Sequence, residues 1–126
     1  PDAPLLREQV AWACRLLARN GVIAISAAIS PSREIRDEVR AIHDNFFEAF
    51  VECSIPALAE RDVKGLYKKA LAGEIKNFTG VSDPYEPPLK AEITLNSETE
   101  TKEQSLARLL AALEEKKFIR PAGGAR

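Results

Sequence analysis

Three short segments of this sequence carry residue types that bind anions or flat rings. Ile29–Arg33 (ISPSR) combines serine hydroxyls with an arginine, and Arg61–Tyr67 (RDVKGLY) places two cations around a glycine. Lys76–Pro88 (KNFTGVSDPYEPP) adds a lysine, two aromatic residues and three prolines. Cations and hydroxyls bind phosphate or sulfate oxygens, and aromatic side chains stack on purine bases. We therefore expect a site for an anionic ligand with a planar ring.

The serine of the first segment has two interpretations. Ser30-Pro31 follows an apolar run, and serine caps the first amides of a helix while proline fits its first position. Simple helix capping would account for it. In the functional interpretation, the Ser30 hydroxyl, the helix amides and Arg33 meet an anion at the end of a strand.

The other two segments also leave a choice. Arg61 and Lys64 form either a solvated charged face or a hinge-like lid that closes over phosphates. Phe78 either fills the core or offers a stacking platform for a purine, behind which Thr79-Gly80 lets the backbone approach closely. A long proline-bearing loop in a compact domain is more often functional than idle.

The apolar pattern predicts the strands that position these segments. Val22–Ala28 is apolar without alternation, which is typical of a strand covered on both faces in a parallel sheet. Phe46–Cys53 and Ile93–Leu95 are the other two strand candidates. Helices are expected between the strands, so the order of elements predicts an α/β fold with crossover connections.

Two amphipathic helices are predicted at the ends of the chain. The first stops at Asn20-Gly21, and the last begins at a capping box formed by Thr101 and Gln104. The stripes expected to be buried are Leu6, Val10, Ala13 and Leu17 on the first helix and Leu106, Leu109, Leu110 and Leu113 on the last.

The composition is that of an ordinary globular domain. The 126 residues suffice for one domain, and 45% are hydrophobic and 29% charged. The net charge of −1 argues against a general nucleic-acid or membrane-surface binder, and no apolar run reaches the length of a bilayer span. Cys14, Cys53 and His43 lack partners at ligand spacing, so we predict no metal ligands and expect a reducing, cytoplasmic setting.

In order and spacing, the three segments resemble the adenylylsulfate kinase family, from about Leu6 to Ile119. The KNFTG…DPYE run is specific to that family, and ISP followed by Arg33 and the Arg36-Asp37 pair also match. The family phosphorylates the 3′-hydroxyl of adenylylsulfate with ATP, in sulfate assimilation. The resemblance implies a P-loop kinase-like α/β fold, a parallel sheet with flanking helices, with the N-terminal strand and P-loop missing here.

The resemblance also implies roles for individual residues. Phe78 would stack on the adenine of adenylylsulfate, and Lys76 would help neutralise its sulfate–phosphate end. Ser30 matches the serine that the family is described as using for a phosphoryl intermediate, whereas direct in-line transfer would need it only as a hydrogen-bond partner. Lys64 would belong to a mobile lid, and Arg61 would lie near the ATP purine. The implied substrate-binding residues are Ile29, Ser30, Arg33, Lys76, Phe78, Thr79 and Gly80.

The sequence departs from the family in one respect. It contains no GxxxxGK[ST], and none of its six glycines is placed to build that loop. The groups that would bind the ATP phosphates and Mg²⁺ are therefore expected mostly outside these residues. Three explanations of the missing loop stay open: a fragment of a full kinase, a split half completed by another polypeptide, or a degenerate copy. The opening at Pro1 without Met leads us to expect processing, trimming or a fragment.

We therefore predict that residues 1–120 form the C-terminal portion of an adenylylsulfate kinase domain and that 121–126 form a disordered tail. The expected partners are adenylylsulfate, ATP, and either a second copy in a homodimer or a complementing P-loop segment. Two other hypotheses stay open. One is a non-catalytic adenylyl-nucleotide-binding or regulatory module, and the other is a generic nucleoside-phosphate kinase domain.

Overall fold

The computed structural model describes residues 3–62, 64–121 and 123, with side chains from residue 7 onward. Its elements are α1 (Ala3–Arg19), α2 (Arg33–Ala41), β1 (Ala49–Glu52), α3 (Ile55–Glu60), α4 (Leu66–Leu71), β2 (Ile93–Asn96) and α5 (Lys102–Glu115). Contacts group them into a first unit, Pro1–Phe46 with Tyr85–Pro87, and a second unit, Phe47–Pro84 with Pro88–Arg126. The predicted tail at 121–126 lies mostly outside the described residues, and a single domain over 1–120 stays a prediction.

A parallel two-stranded sheet organises the second unit. β1 pairs with β2 in a register that runs from Ala49 opposite Ile93 to Glu52 opposite Asn96. α5 packs against β2, whose Ile93 and Leu95 are buried. Because α3 and α4 lie on the crossover between the two strands, the predicted α/β class with a parallel sheet and flanking helices is confirmed.

The start of α5 is fixed by the predicted capping box. Thr101 Oγ1 accepts a hydrogen bond from the Gln104 amide at 3.1 Å, and Gln104 Oε1 accepts one from the Thr101 amide at 2.8 Å. Just before it, the Glu100 carboxylate accepts from the Asn96 amide at 3.2 Å and pairs with Arg108. The end of β2 is thereby tied to the first turns of α5.

The leucines of α5 are less buried than the sequence pattern predicts. Leu109 and Leu113 are half-buried, whereas Leu106 and Leu110 are 55% and 42% exposed. A sheet of two four-residue strands is narrow, so it covers only part of the apolar face of this helix. The prediction of a fully buried stripe is therefore wrong for Leu106 and Leu110.

In the first unit, α1 ends where the sequence predicts. Gly21 adopts φ +79°, and the Val22 amide donates to the Leu17 carbonyl at 3.1 Å, which closes the helix C-terminus. The left-handed conformation required at this position favours glycine.

The side chains of α1 are less buried than its periodicity predicts. Ala11 is buried, but Val10 and Leu17 of the predicted stripe are exposed, as is Ala13; the side chain of Leu6 lies outside the described part. Trp12 is 49% exposed and lies 5.1 Å from the guanidinium of Arg15, measured to the ring centroid. The predicted stripe is therefore wrong for the three residues whose burial is described.

The predicted first strand, Val22–Ala28, is also wrong. No residue from 22 to 30 belongs to a strand, and Ile23 and Ile25 are 66% and 87% exposed. A strand forms only when a neighbouring backbone exchanges ladder hydrogen bonds with it, and an apolar run indicates what covers a strand rather than what pairs with it. Within the described ranges, the ladder is that of β1 with β2.

Among the helices in the described ranges, none has the length and apolar character needed to cross a bilayer. The longest, α1, interleaves charged residues with its apolar ones over 17 residues. Cys14 and Cys53 are both free thiols and half-buried.

We expect Thr101→Ala to lower the free energy of unfolding by about 1 kcal/mol, because an alanine at the N-cap leaves the Gln104 amide without its acceptor. Urea titration followed by far-UV circular dichroism measures the change. Thr99→Ala is the matched control, since Thr99 enters the neighbouring turn through its backbone amide. Equal effects of the two substitutions would contradict the assignment of the cap.

The start of α3 depends on a carboxylate from the turn after β2. The Glu98 carboxylate accepts hydrogen bonds from the Ser54 amide at 2.8 Å and from the Ser54 hydroxyl at 3.0 Å. Ser54 is the N-cap of α3, and its hydroxyl oxygen also accepts from the Ala57 amide at 3.4 Å. These bonds to Ser54, with the positive charge of Arg61, hold the pKa of Glu98 below its usual value of 4.5.

A lowered carboxyl pKa in the folded state gives a defined pH dependence. The stabilisation from Glu98 is present above pH 4.5 and is lost as the pH falls toward the lowered folded-state pKa. We expect the urea midpoint of the wild-type chain to fall between about pH 6 and about pH 3, and Glu98→Gln to reduce that fall. An acid-induced fall of the same size in Glu98→Gln would contradict this linkage.

Candidate functional site

Ser30 lies in a strained turn rather than at a helix cap. Its φ is +42°, in the left-handed region that residues other than glycine rarely adopt. The N-cap of α2 is Ser32, whose hydroxyl accepts from the Ile35 amide at 3.5 Å, so the capping role predicted for Ser30 is wrong. Two serines flank Pro31, and the helix begins at Arg33, which places the second serine at the cap. Capping therefore does not account for Ser30.

The other two candidates of this segment flank the same turn. Ile29 is 69% exposed just before it, and Arg33 is the first residue of α2 just after it. Arg33 Nε donates to the Pro87 carbonyl at 2.7 Å, and the Arg33 amide donates to Glu86 Oε2 at 2.8 Å. The first unit thus brings Ile29, Ser30 and Arg33 together on one short turn that is bonded to the segment Tyr85–Pro87.

In the second unit, Arg61 and Lys64 line one open pocket of about 300 Å³. Its remaining lining residues are Leu58, Asp62, Leu66 and Tyr67. Arg61 Nη1 donates to the Ser97 carbonyl at 2.9 Å, which anchors one side of its guanidinium to the turn after β2. The structure therefore places the two predicted cations at a shared cavity with an aromatic ring.

Asp62 braces the segment that carries Lys64. Its two carboxylate oxygens accept from the Leu66 amide at 3.0 Å and from the Lys68 amide at 3.2 Å. Gly65, at the N-cap of α4, has no side chain to cap the helix. The Asp62 carboxylate supplies the missing acceptor, and its charge suits the positive end of the helix.

Phe78 stands at the base of a tight turn. Its carbonyl accepts from the amides of Val81, Ser82 and Asp83, and its own amide donates to the Ser82 hydroxyl at 2.7 Å. The half-buried Phe78 ring meets Tyr67 edge-on, with centroids 4.9 Å apart and planes at 77°. Since Tyr67 also lines the pocket, Phe78 lies next to the pocket wall.

Thr79 and Gly80 continue this turn. Thr79 forms an isolated bridge with Asp83, and the Gly80 amide donates to the Asp83 carbonyl at 2.7 Å. Gly80 adopts φ +86°, and a Cβ there would lie 3.2 Å from Ile55 Cδ1. The left-handed conformation at this position favours glycine, and the Ile55 side chain leaves little room for a Cβ. Lys76 is exposed two residues before Phe78.

The candidates fall into two groups. Ile29, Ser30 and Arg33 belong to the first unit, and Arg61, Lys64, Lys76, Phe78, Thr79 and Gly80 belong to the second. In the described ranges, no cluster of three or more His, Cys, Asp or Glu side chains is arranged to hold a metal ion. The described residues therefore do not fit a Mg²⁺ site.

Sequence reasoning missed the residues that hold the candidates in place. Asp62 had a local signal, an acidic residue shortly before a helix whose cap is glycine. Tyr67 lay inside the RDVKGLY segment, but its contact with Phe78 spans 11 positions and has no local signature. Glu86 and Arg33 are 53 positions apart, and no spacing rule joins them.

Comparison with known proteins gives one family. The family model for adenylylsulphate kinase matches residues 6–96. A probable bifunctional SAT/APS kinase 2 of Sorangium cellulosum is 55% identical over 117 residues, covering 93% of this chain and 20% of that protein. An adenylyl-sulfate kinase of Rippkaea orientalis is 52% identical over 111 residues, covering 88% of this chain and 61% of that protein.

A solved structure agrees with these relatives. The Mycobacterium tuberculosis APS kinase in complex with AMPPNP and APS superimposes with a TM-score of 0.75 at 33% identity, over 90% of this chain and 69% of that chain. This chain therefore belongs to the adenylylsulfate kinase family, and the predicted family resemblance is confirmed. It spans less than two thirds of the length of the Sorangium and Rippkaea proteins.

We expect Asp62→Ala to fray the first turn of α4, because the Leu66 and Lys68 amides lose their acceptor. The loss of a helix-capping carboxylate corresponds to about 1 kcal/mol, or roughly fivefold faster amide exchange at Leu66. Hydrogen–deuterium exchange measures this change at single amides. Asp44→Ala, at an exposed position in the first unit, is the matched control. Unchanged exchange at Leu66 in Asp62→Ala would contradict the bracing role.

Proposed function

We propose that residues 1–120 form the substrate-binding and lid portion of an adenylylsulfate kinase domain. The reaction transfers the γ-phosphate of ATP to the 3′-hydroxyl of adenylylsulfate and gives 3′-phosphoadenylylsulfate. One observation carries the proposal beyond family membership. Arg61, Lys64 and Tyr67 line a single open pocket, and the Tyr67 ring contacts Phe78. Two cations beside two aromatic rings suit a ligand with phosphates and a purine.

For the second unit, we propose that Phe78 stacks on the adenine of adenylylsulfate. Its edge-on contact with Tyr67 fixes the plane of the ring, and the Phe78 carbonyl is held by the turn that follows. Thr79 and Gly80 would let the ligand approach the backbone beside the Phe78 ring. Lys76, which is exposed, would neutralise the sulfate–phosphate end of the substrate.

The pocket cations would serve the phosphate donor. Lys64 follows α3 and precedes the braced helix α4, and it would act as the catalytic cation of a lid that closes over the transferred phosphoryl group. Arg61, anchored to the Ser97 carbonyl, would contact the ATP purine. A guanidinium held on one side stacks on a base at a lower entropy cost than a free one.

For the first unit, we propose that Ile29, Ser30 and Arg33 contact the substrate around the reacting hydroxyl. In direct in-line transfer, the 3′-oxygen bonds to the γ-phosphorus while the bond from that phosphorus to the β–γ bridging oxygen breaks. ADP leaves with the bridging oxygen, and the hydroxyl proton passes to solvent. The Ser30 hydroxyl would orient the attacking oxygen through a hydrogen bond, without itself becoming phosphorylated.

The ATP phosphates need further groups. The sequence has no GxxxxGK[ST], so we propose that a P-loop segment outside these 126 residues binds the β- and γ-phosphates together with Mg²⁺. A homodimer of the chain is the alternative to a complementing P-loop segment as its partner. We place the reaction in sulfate assimilation in the cytoplasm, a reducing setting in which Cys14 and Cys53 stay free thiols.

We expect the folded chain to bind adenylylsulfate saturably in isothermal titration calorimetry. Phe78→Ala should raise the dissociation constant by about fivefold to 150-fold, because stacking of one base on an aromatic ring contributes about 1–3 kcal/mol. Phe78→Tyr keeps the aromatic face and is the matched control, expected to bind like wild type. Circular dichroism spectra establish that each variant is folded.

Two results would contradict the proposal, the first its function and the second the stacking role of Phe78. One is a folded wild-type chain that gives no saturable heat with adenylylsulfate. The other is Phe78→Ala with the affinity of the wild type, which would remove the stacking role while leaving binding itself in place.

A further inference from the structure

The Ser30 turn is held by an arginine from the helix that follows it. At φ +42°, Ser30 occupies a conformation that costs free energy and persists only where surrounding contacts fix it. Arg36 Nη1 donates to the Ser30 carbonyl from one turn into α2. Since Ser30 is no helix cap, this bond to Arg36 is the contact that explains its backbone conformation.

The same guanidinium reaches a distant segment of the chain. Arg36 Nη2 donates to the Glu86 carbonyl at 2.6 Å, across 50 positions of sequence, and the Arg36 guanidinium carbon lies 5.8 Å from the centroid of the Tyr85 ring. A guanidinium is planar and presents its N–H groups as a rigid fork. One side chain can therefore fix two carbonyls, here those of Ser30 and Glu86, at a set separation.

Glu86 completes the connection in the opposite direction. Its carboxylate accepts from the Arg33 amide at 2.8 Å, at the positive end of α2, and its amide donates to the Pro31 carbonyl at 2.9 Å. Arg33 Nε adds a bond to the Pro87 carbonyl at 2.7 Å. The turn and the segment Tyr85–Pro87 are therefore joined by bonds that cross in both directions within the first unit.

We propose that Arg36 and Glu86 are positioning residues of the site: together they hold the Ser30 turn and the segment Tyr85–Pro87 as one rigid piece, which we name the Arg36–Glu86 clamp. The clamp fixes the direction of the Ser30 hydroxyl and holds the Arg33 backbone beside the segment Tyr85–Pro87. Its effect on substrate affinity rests on the function proposed above, whereas its existence rests only on the contacts within the first unit.

Hydrogen–deuterium exchange at the Glu86 amide tests the clamp without any ligand. We expect Arg36→Met to speed exchange there by about tenfold or more, because both bonds of the fork are lost. Arg36→Lys keeps the charge but not the fork, and is expected to behave like Arg36→Met. Amides of α1, which lies in the same unit as Arg36 and Glu86, serve as the internal reference for the stability of that unit.

A matched control lies one turn further along the same helix. The guanidinium of Arg40 stands 4.7 Å from the centroid of the Phe46 ring, and Arg40→Met should leave exchange at Glu86 as in wild type. If Arg36→Met proves poorly folded, Glu86→Gln replaces it: exchange at the Arg33 amide should speed up about fivefold or more. Wild-type exchange at Glu86 in Arg36→Met, or rescue by Arg36→Lys, overturns the clamp.

Titration calorimetry with adenylylsulfate tests the consequence for binding. If the wild-type chain binds, Arg36→Met should raise the dissociation constant by about tenfold, while Arg40→Met should not. Faster exchange with unchanged affinity overturns the positioning role. A wild-type chain without affinity overturns the proposed function instead, and the exchange result alone then decides whether the clamp exists.

Discussion

The parallel pairing of β1 with β2 is the constraint on which the second unit depends. Two parallel strands cannot be joined by a tight turn, so the chain between Glu52 and Ile93 must cross from one end of the ladder to the other. That crossover carries α3, α4 and the turn at Phe78, and with them every candidate residue of the second unit. The pocket therefore depends on the crossover. Arg61, on one side of the pocket, is anchored to the turn after β2. Tyr67 of α4 lines the pocket and contacts Phe78, which follows α4 in the sequence.

Features decided by local interactions were predictable from the sequence, and those decided by distant partners were not. The capping box at Thr101 and the end of α1 at Gly21 each follow from residues a few positions apart. Val22–Ala28 has the side chains of a buried strand, but a ladder partner is not encoded in the run itself. Candidate site residues could be identified by chemical type. Their supports, such as the Glu86 carboxylate at the Arg33 amide, join positions that no local pattern connects.

Acidic side chains of this protein repeatedly serve as acceptors for backbone amides at the ends of elements. Glu98 does so at Ser54, Glu100 at Asn96, Glu92 at Glu48, Asp62 at Leu66 and Glu86 at Arg33. Each carboxylate satisfies an amide that a short helix or strand leaves without a partner. Few of the side chains whose burial is described are buried, so these loops are held by charge-assisted hydrogen bonds as well as by apolar contacts. The net charge near zero conceals this local use of the acidic residues.

Trp12 is an intrinsic fluorescence probe that lies in only one of the two units. It is the sole tryptophan of the chain, lies on α1 in the first unit, and is half exposed beside Arg15. Its emission therefore reports on the surroundings of one unit, whereas the far-ultraviolet dichroism sums the helices of both. Superposition of the two signals through a denaturation curve would mark a single cooperative transition, and their separation would resolve the order in which the units melt. The chain thus carries its own intrinsic label for asking whether its two halves share one folding transition.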